Sequence, residues 1–384
     1  MNISEFKKYE PRGMHRQLPV IWQTAKDCTV TDVKGKKYID FTSGIFVTNA
    51  GHGAISDTLI RQAQKLIHCY TFPNIERLEL AQKLTKMTGY QKAFFMSAGT
   101  EATECAVKIM RLDGKKKKRE FIVSFRGAMH GKTFLAEALK GNEYLSFVKH
   151  LTFPTEISDF KTDIKELFDS PETKIAGFII ESYRGWDAKF YPKKYIQDLV
   201  AWAKKNRIPV CFDDIQGGFF RSGKLFAFQH YEVEPDLVCC GKGLGDGLPI
   251  SAVLGSAKLM DLPEDLSSTH SGNPLCCAVA LANLEQLVNH KLFINSQMKG
   301  LILHDELQDL KTKYPFIKEI NGRGLLAGIV FDCKKTADKI IYRAMKKGLL
   351  MVYTGRESIK IGPPLSISAS ILEQGLQIIG ESFK

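Results

Sequence analysis

Two apolar runs in the stretch 210–249 each stop at a charged residue, and that pairing constrains the chain more than any other feature. Residues 208–212 end at Asp213 and Asp214, and 237–240 end at Gly241 and Lys242. Both runs read as strands. In open α/β sheets ligands sit outside the carboxyl ends of strands, so a carboxylate and an amine are offered to one crevice. Glycines at 241, 243, 245 and 247 leave the lysine uncrowded, on backbone free to take positive φ. A lysine after a strand is more often a solvated loop residue, but the motif as a whole favours chemistry.

The pattern around this segment is repetitive in kind. Between residues 91 and 256, candidate strands at 93–97, 121–125, 176–180, 208–213, 237–240 and 250–254 alternate with helical patterns at 100–110, 158–168 and 194–205. Such alternation predicts a mostly parallel sheet flanked by helices, an α/β fold. Beyond it, a long helical stretch begins at 277 and reaches roughly 310. A strand at 325–331, a helix at 337–346 and a final helix from about 371 follow. These elements are expected to form a smaller α+β domain (281–384), completed by residues 1–45 and packed closely on a larger domain, 46–280. No linker rich in Pro, Gly or Ser separates the two.

Composition excludes more than it selects. Nine cysteines occur with no CxxC spacing and an odd count, which argues against a zinc knuckle or a disulfide framework and for a reducing compartment. The first residues lack the apolar core of a signal peptide, and no window approaches 18 consecutive apolar residues, so a cytoplasmic protein without membrane spans is expected. The net charge of +12 is mostly dispersed as single lysines. The one dense run, Lys115 to Arg119, reads as a solvated helix-to-strand loop, with no nucleic-acid-binding motif beside it. His52, His130 and His270 have no partner at metal-ligand spacing, so no metal site is expected.

Ser97-Ala98-Gly99-Thr100-Glu101-Ala102 follows a strand and opens a helix. Small residues there let backbone N–H groups approach an anion, with the helix dipole adding about 0.3–1 kcal/mol. The same residues also serve plain helix capping. Two other glycine clusters lose their obvious readings. The segment from Gly127 to Thr133 is one residue short of a P-loop, and GKGLGDG lacks the dinucleotide register. A phosphate cradle, a buried carboxylate and a lysine at a strand end form a coherent set for pyridoxal phosphate (PLP). That cofactor needs an anion site, a carboxylate beside its pyridine nitrogen and a lysine for its Schiff base.

FDDIQGGFFRSG followed by EPDLVCCGKGLGDGLP resembles the signature of the class III (ornithine-type) aminotransferases, fold type I among PLP enzymes. SAGTEATECAVKIMR, DFTSGIFVTNAGH, STHSGNPL and IGPPL stand in that family's order, so the resemblance spans nearly the whole chain. It implies a large domain with a mostly parallel seven-stranded sheet. It assigns Asp213 to the pyridine nitrogen, Gln216 to the ring hydroxyl, Ile215 to one ring face and Lys242 to the Schiff base. Gly99 and Thr100 would hold the phosphate, Glu181 would support the hydroxyl side, and Thr269 would reach the phosphate of a neighbouring subunit. A homodimer with shared active sites is therefore implied.

The departures concern the substrate. Met129 stands where the family has an aromatic residue, so Met129 or His130 must cover that ring face, and Lys132 replaces an arginine. Where many members have Glu-Pro-(Ile/Val)-Gln-Gly-Glu, this chain reads Glu181-Ser-Tyr-Arg184-Gly-Trp186. The last glutamate of that pattern ordinarily pairs with an arginine that is Lys360 here. Lysine lacks the bidentate fork, so a glutamate-type substrate would be held differently. Arg184 becomes the candidate anion contact, with Lys132 and Lys360 behind it, against the plainer reading of ion pairs remote from substrate. The implied reaction is ping-pong transfer of an amino group from a small-molecule donor to a carbonyl acceptor, and the basic surplus permits an anionic one. A decarboxylase, aminomutase or racemase on the same scaffold is the competing reading, and a catalytically silent relative is disfavoured because Asp213 and Lys242 are both present.

Overall fold

The computed structural model describes residues 3–142 and 144–384. Its centre is a seven-stranded sheet. From edge to edge the order is Lys92–Met96, Ser251–Gly255, Leu237–Cys240, Val210–Asp213, Ile175–Glu181, Phe121–Phe125 and Val148–Leu151. Only Ser251–Gly255 runs against its neighbours. The strands Ile175–Glu181, Val210–Asp213 and Leu237–Cys240 are buried along their whole length. Strands covered by helices on both faces read as continuous apolar runs and not as alternating ones. Helix Gly99–Lys116 packs against one face so closely that a Cβ on Gly177 would lie 2.4 Å from the Met110 sulfur.

Register brings the strand ends level. Glu181 pairs with Asp213, and Asp213 pairs with Cys239, so three adjacent strands finish together and hand on to Ser182, Asp214 and Gly241. Two four-stranded sheets complete the chain. One combines Trp22–Lys26, Thr29–Asp32 and Lys37–Asp40 with Leu349–Leu350, joining early and late sequence. The other holds Ile317–Gly322, Ala327–Phe331, Ser358–Ile361 and Val352–Tyr353, and it presents Lys360.

Several expectations need correction. The long helical stretch is two helices, Pro274–Asn289 and Leu292–Lys313, broken where Lys291 takes φ 51°. Val148–Leu151, Ile317–Gly322 and Ser358–Ile361 are strands that carry too many polar residues to stand out as apolar runs. The basic run is not all loop. Helix Gly99–Lys116 includes Lys115 and Lys116 in its last turn, where cations complement the helix dipole. Lys117 then pairs with Asp113 at 2.6 Å, and Arg119 donates to the Asn206 and Arg207 carbonyls. Among the described residues no helix is long and apolar enough to cross a membrane. All nine cysteines are free, and most are buried.

Candidate active site

The crevice is built on the level strand ends. Asp213, 6% exposed, places Oδ2 2.8 Å from His130 Nδ1, while its Oδ1 accepts from the Ile215 N–H at 3.1 Å. A carboxylate oxygen accepts, so in this bond Nδ1 of the imidazole is the donor. One strand over, buried Glu181 accepts from the Gly185 N–H at 3.2 Å. Lys242 sits at φ 42°, a left-handed conformation that costs a non-glycine residue roughly 1 kcal/mol or more. The turn around it is fixed from outside, because Asn283 donates to the carbonyls of Gly243 and Leu244. Burial lowers the Lys242 pKa, and the Lys132 charge adds to that; Asp213 and Glu181 pull the other way. An amine so placed can be neutral enough to accept a proton and still lie within the field of two carboxylates.

Helix Gly99–Lys116 begins beside this group. Its first N–H groups have no partner within the helix. Glu101 reaches back to accept from the N–H groups of Ser97 and Ala98, which fixes the turn. A Cβ on Gly99 would lie 2.9 Å from Ile215 Cδ1, so glycine keeps the floor open above that isoleucine. Thr100 Oγ1 and Thr133 Oγ1 are 2.5 Å apart, and Thr103 bonds the His130 carbonyl, so the helix start and the 129–133 turn form one wall. His130 is 1% exposed and tied to Asp213, which makes it a brace for the carboxylate. Met129 is half-buried and remains the side chain available to a ring face.

The segment after Glu181 gives Arg184 partners within the chain. Its guanidinium forks onto Asp187, through Nε at 3.0 Å and through Nη2. It also lies 4.3 Å from the Phe153 ring centroid and 4.4 Å from that of Trp186. This cation is thus engaged by a buried carboxylate and two aromatic rings of its own chain. Lys132 is exposed and Lys360 is 5% exposed. Lys360 donates to the Gly185 carbonyl and, at 2.9 Å, to Gln216 Oε1. Its pKa is lowered to about 7, first by burial and then by the Lys242 charge. Thr269 is exposed. Its neighbours Ser267, Ser271 and Gly272 line an open pocket of 640 Å³ with Ile75, Arg77 and Leu78.

The Asp213–His130 bond and the part played by Gly185 are invisible to sequence reasoning. A Cβ on Gly185 would lie 2.4 Å from Glu181 Oε1 and 2.8 Å from Gln216 Nε2, so only glycine fits. No local pattern marks that glycine, since one group it must clear ends strand Ile175–Glu181 and the other lies in the turn after strand Val210–Asp213.

The chain matches the family described as Aminotransferase class-III over residues 10–383. The chain belongs to the class III aminotransferases. An acetylornithine aminotransferase from Clostridium acetobutylicum is 35% identical over 365 residues, covering 92% of this chain and 93% of that one. A 5-aminovalerate aminotransferase from Pseudomonas aeruginosa is 33% identical, covering 97% and 95%. The ornithine aminotransferase of Toxoplasma gondii, solved with partial occupancy of PLP at its active site, superposes with a TM-score of 0.90 at 27% identity, covering 99% and 93%. As a class III aminotransferase with the fold type I architecture, the protein is a PLP-dependent enzyme that transfers amino groups. The decarboxylase, aminomutase and racemase readings are not favoured, because these relatives are all aminotransferases.

Burial also raises the pKa values of Glu181, Asp214 and Asp246 to about 7. Native values above the ordinary carboxyl values mean that the folded state binds extra protons between about pH 4 and 7. Their contribution to stability is therefore complete at the acid end and is lost as pH rises through 7, by at most about 1.4 kcal/mol per unit per group. Asp214 accepts from Ser182 Oγ and the Phe228 N–H, while its Oδ1 has no partner. Asp214→Asn is expected to flatten the fall in urea midpoint between pH 5 and 8; an unchanged slope would show that Asp214 is not a contributor.

Proposed function

We propose that Lys242, Asp213, Glu181 and Gln216 form the working core of the aminotransferase site, with Gly99 and Thr100 at the cofactor phosphate. The observation that carries this reading is the common finish of three buried strands, which sets Glu181, Asp213 and the Lys242 turn side by side. Bound there, PLP supplies an electron sink that lets the substrate C–H bond ionise. Asp213, braced by His130, holds the pyridine nitrogen protonated. Gln216 faces the ring hydroxyl, Ile215 supports one ring face and Met129 the other. Lys242 would hold the cofactor through its Nζ, and the same Nζ, once free, would take up and return the proton at the carbon bearing the substrate amine.

The relatives are named for acetylornithine, ornithine and 5-aminovalerate. We take the donor to be an aliphatic amino acid of that class and the acceptor to be a keto acid. Incubating the purified holoenzyme with each donor, without acceptor, tests the reading. The visible absorption band should convert to that of pyridoxamine phosphate in one enzyme equivalent. Carbon dioxide release, or inversion of the substrate without that conversion, would overturn it.

Two broader parts of the reading rest on surfaces and thiols. A dimer with shared sites fits the open pocket, since Ile75 and Leu78 are 63% and 57% exposed on its rim and Phe72 is 72% exposed nearby. Patches of this kind on a folded chain are commonly covered by a partner. A second copy seated there would bring Thr269 towards its neighbour's cofactor phosphate. Sedimentation should show a dimer, and Ile75→Lys combined with Leu78→Lys should give a monomer with weakened PLP binding; a monomeric parent would contradict this. The free, mostly buried cysteines fit a reducing cytosol. The division into domains 46–280 and 1–45 with 281–384 is kept as part of the same proposal.

A further inference from the structure

Lys360 is an amine that the reaction outlined above does not use, although it lies in the same crevice. It projects from strand Ser358–Ile361, is 5% exposed and stands 4.8 Å from the Phe46 ring centroid. Its Nζ donates to the Gly185 carbonyl and to Gln216 Oε1. In its charged form the amine can only donate, so the Gln216 amide then turns its oxygen to Lys360 and its Nε2 away. The Cβ position of Gly185 shows where Nε2 goes. That single point is 2.4 Å from Glu181 Oε1 and 2.8 Å from Gln216 Nε2, so the amide N–H₂ group and the glutamate flank the same small space.

We propose that Lys360 is a positioning residue: by gripping Gln216 Oε1 and the Gly185 carbonyl, it fixes the Gln216 amide with its donor face towards the cofactor's ring hydroxyl. The proposal rests on the placement of Gln216 given above. It replaces the expectation that Lys360 grips a substrate carboxylate. Two of its N–H bonds are already spent on the Gly185 carbonyl and Gln216 Oε1, and the Phe46 ring stands beside it. The groups whose charge reaches Lys360 are Lys242 from the glycine-rich turn, Glu181 at the end of strand Ile175–Glu181 and Asp187 in the segment after it. The first repels the ammonium and the other two attract it. A donor turned to the ring hydroxyl stabilises its ionised form, and this couples to the proton held at the Lys242–cofactor link. Loss of the grip frees the amide to rotate and present its oxygen instead.

The test is the pH midpoint of the visible absorption change of the holoenzyme, measured in the parent, Lys360→Met, Gln216→Met and the double variant. Lys360→Met should move the midpoint by half a unit or more, and the same substitution should move it far less when Gln216 is already methionine. Lys360→Arg, which keeps a donor for Gln216, should stay close to the parent and also serves if the methionine variant folds poorly. An unmoved midpoint, or an equal shift in both backgrounds, would overturn the proposal; the second outcome would mean that Lys360 acts through its charge alone. A rise in KM for the keto acid with an unmoved spectrum would instead restore it as a carboxylate anchor. Failure of the site assignment is separate, because a holoenzyme whose Gln216→Met spectrum matches the parent has no Gln216 at the ring hydroxyl.

Discussion

Replacing Lys242 with alanine is expected to lower turnover by on the order of 10⁴-fold, the upper range for loss of a group that moves a proton in the transition state. The proposed role of Lys242 in holding the cofactor would be lost with it. The protein should still fold. Alanine keeps the Lys242 carbonyl that accepts from the Gly245 N–H, and Asn283 holds the Gly243 and Leu244 carbonyls independently. PLP should still bind, since Asp213 and the start of helix Gly99–Lys116 are untouched. An added small primary amine should restore part of the rate by standing in for Nζ. Single-turnover kinetics with a donor reads all three outcomes. A variant that keeps more than a tenth of parental turnover would remove Lys242 from the reaction.

Asp213→Asn is the second large effect, with an expected loss of roughly 10²–10³-fold, the usual scale for deleting one preorganised electrostatic contact. The substitution is close to isosteric, yet it replaces the carboxylate hydrogen-bonded to His130 Nδ1. It also removes the main attraction that opposes the burial-driven fall in the Lys242 pKa. Two consequences can be separated. The loss should appear in kcat more than in KM for the donor, because the carboxylate acts on the reacting ring and touches no substrate group. The free Lys242 amine should titrate still lower. An Asp213→Asn variant whose activity stays within threefold of the parent would contradict the assignment.

The fold was legible in sequence wherever strands are buried on both faces. Phe121–Phe125 and Leu237–Cys240 match their expected limits, since unbroken apolar runs leave little room for register error. Strands in less apolar settings were missed: Val148–Leu151 keeps Lys149 and His150 part-exposed between buried ends. The strand-end logic that located Asp213 and Lys242 needs only the order of residues, so it was available from the start. Arg184 shows the limit of that logic. Its charge was visible, but Asp187 captures it three residues later, and Phe153 stacks on it from a distant part of the chain. Lys360 shows the same limit from the other side. Its departure from the family was plain, while its partners, the Gly185 carbonyl and Gln216, depend on strand Ser358–Ile361 meeting the large sheet.

The most direct measurement is to reduce the holoenzyme with borohydride, which fixes PLP on whichever lysine carries it, and then to locate the modified peptide by mass spectrometry. Lys242 and Lys360 make this decisive, because both are crevice amines with lowered pKa values. The modification is expected on Lys242 alone and in one equivalent per chain. Modification of Lys360, or of no lysine in the crevice, would contradict the account.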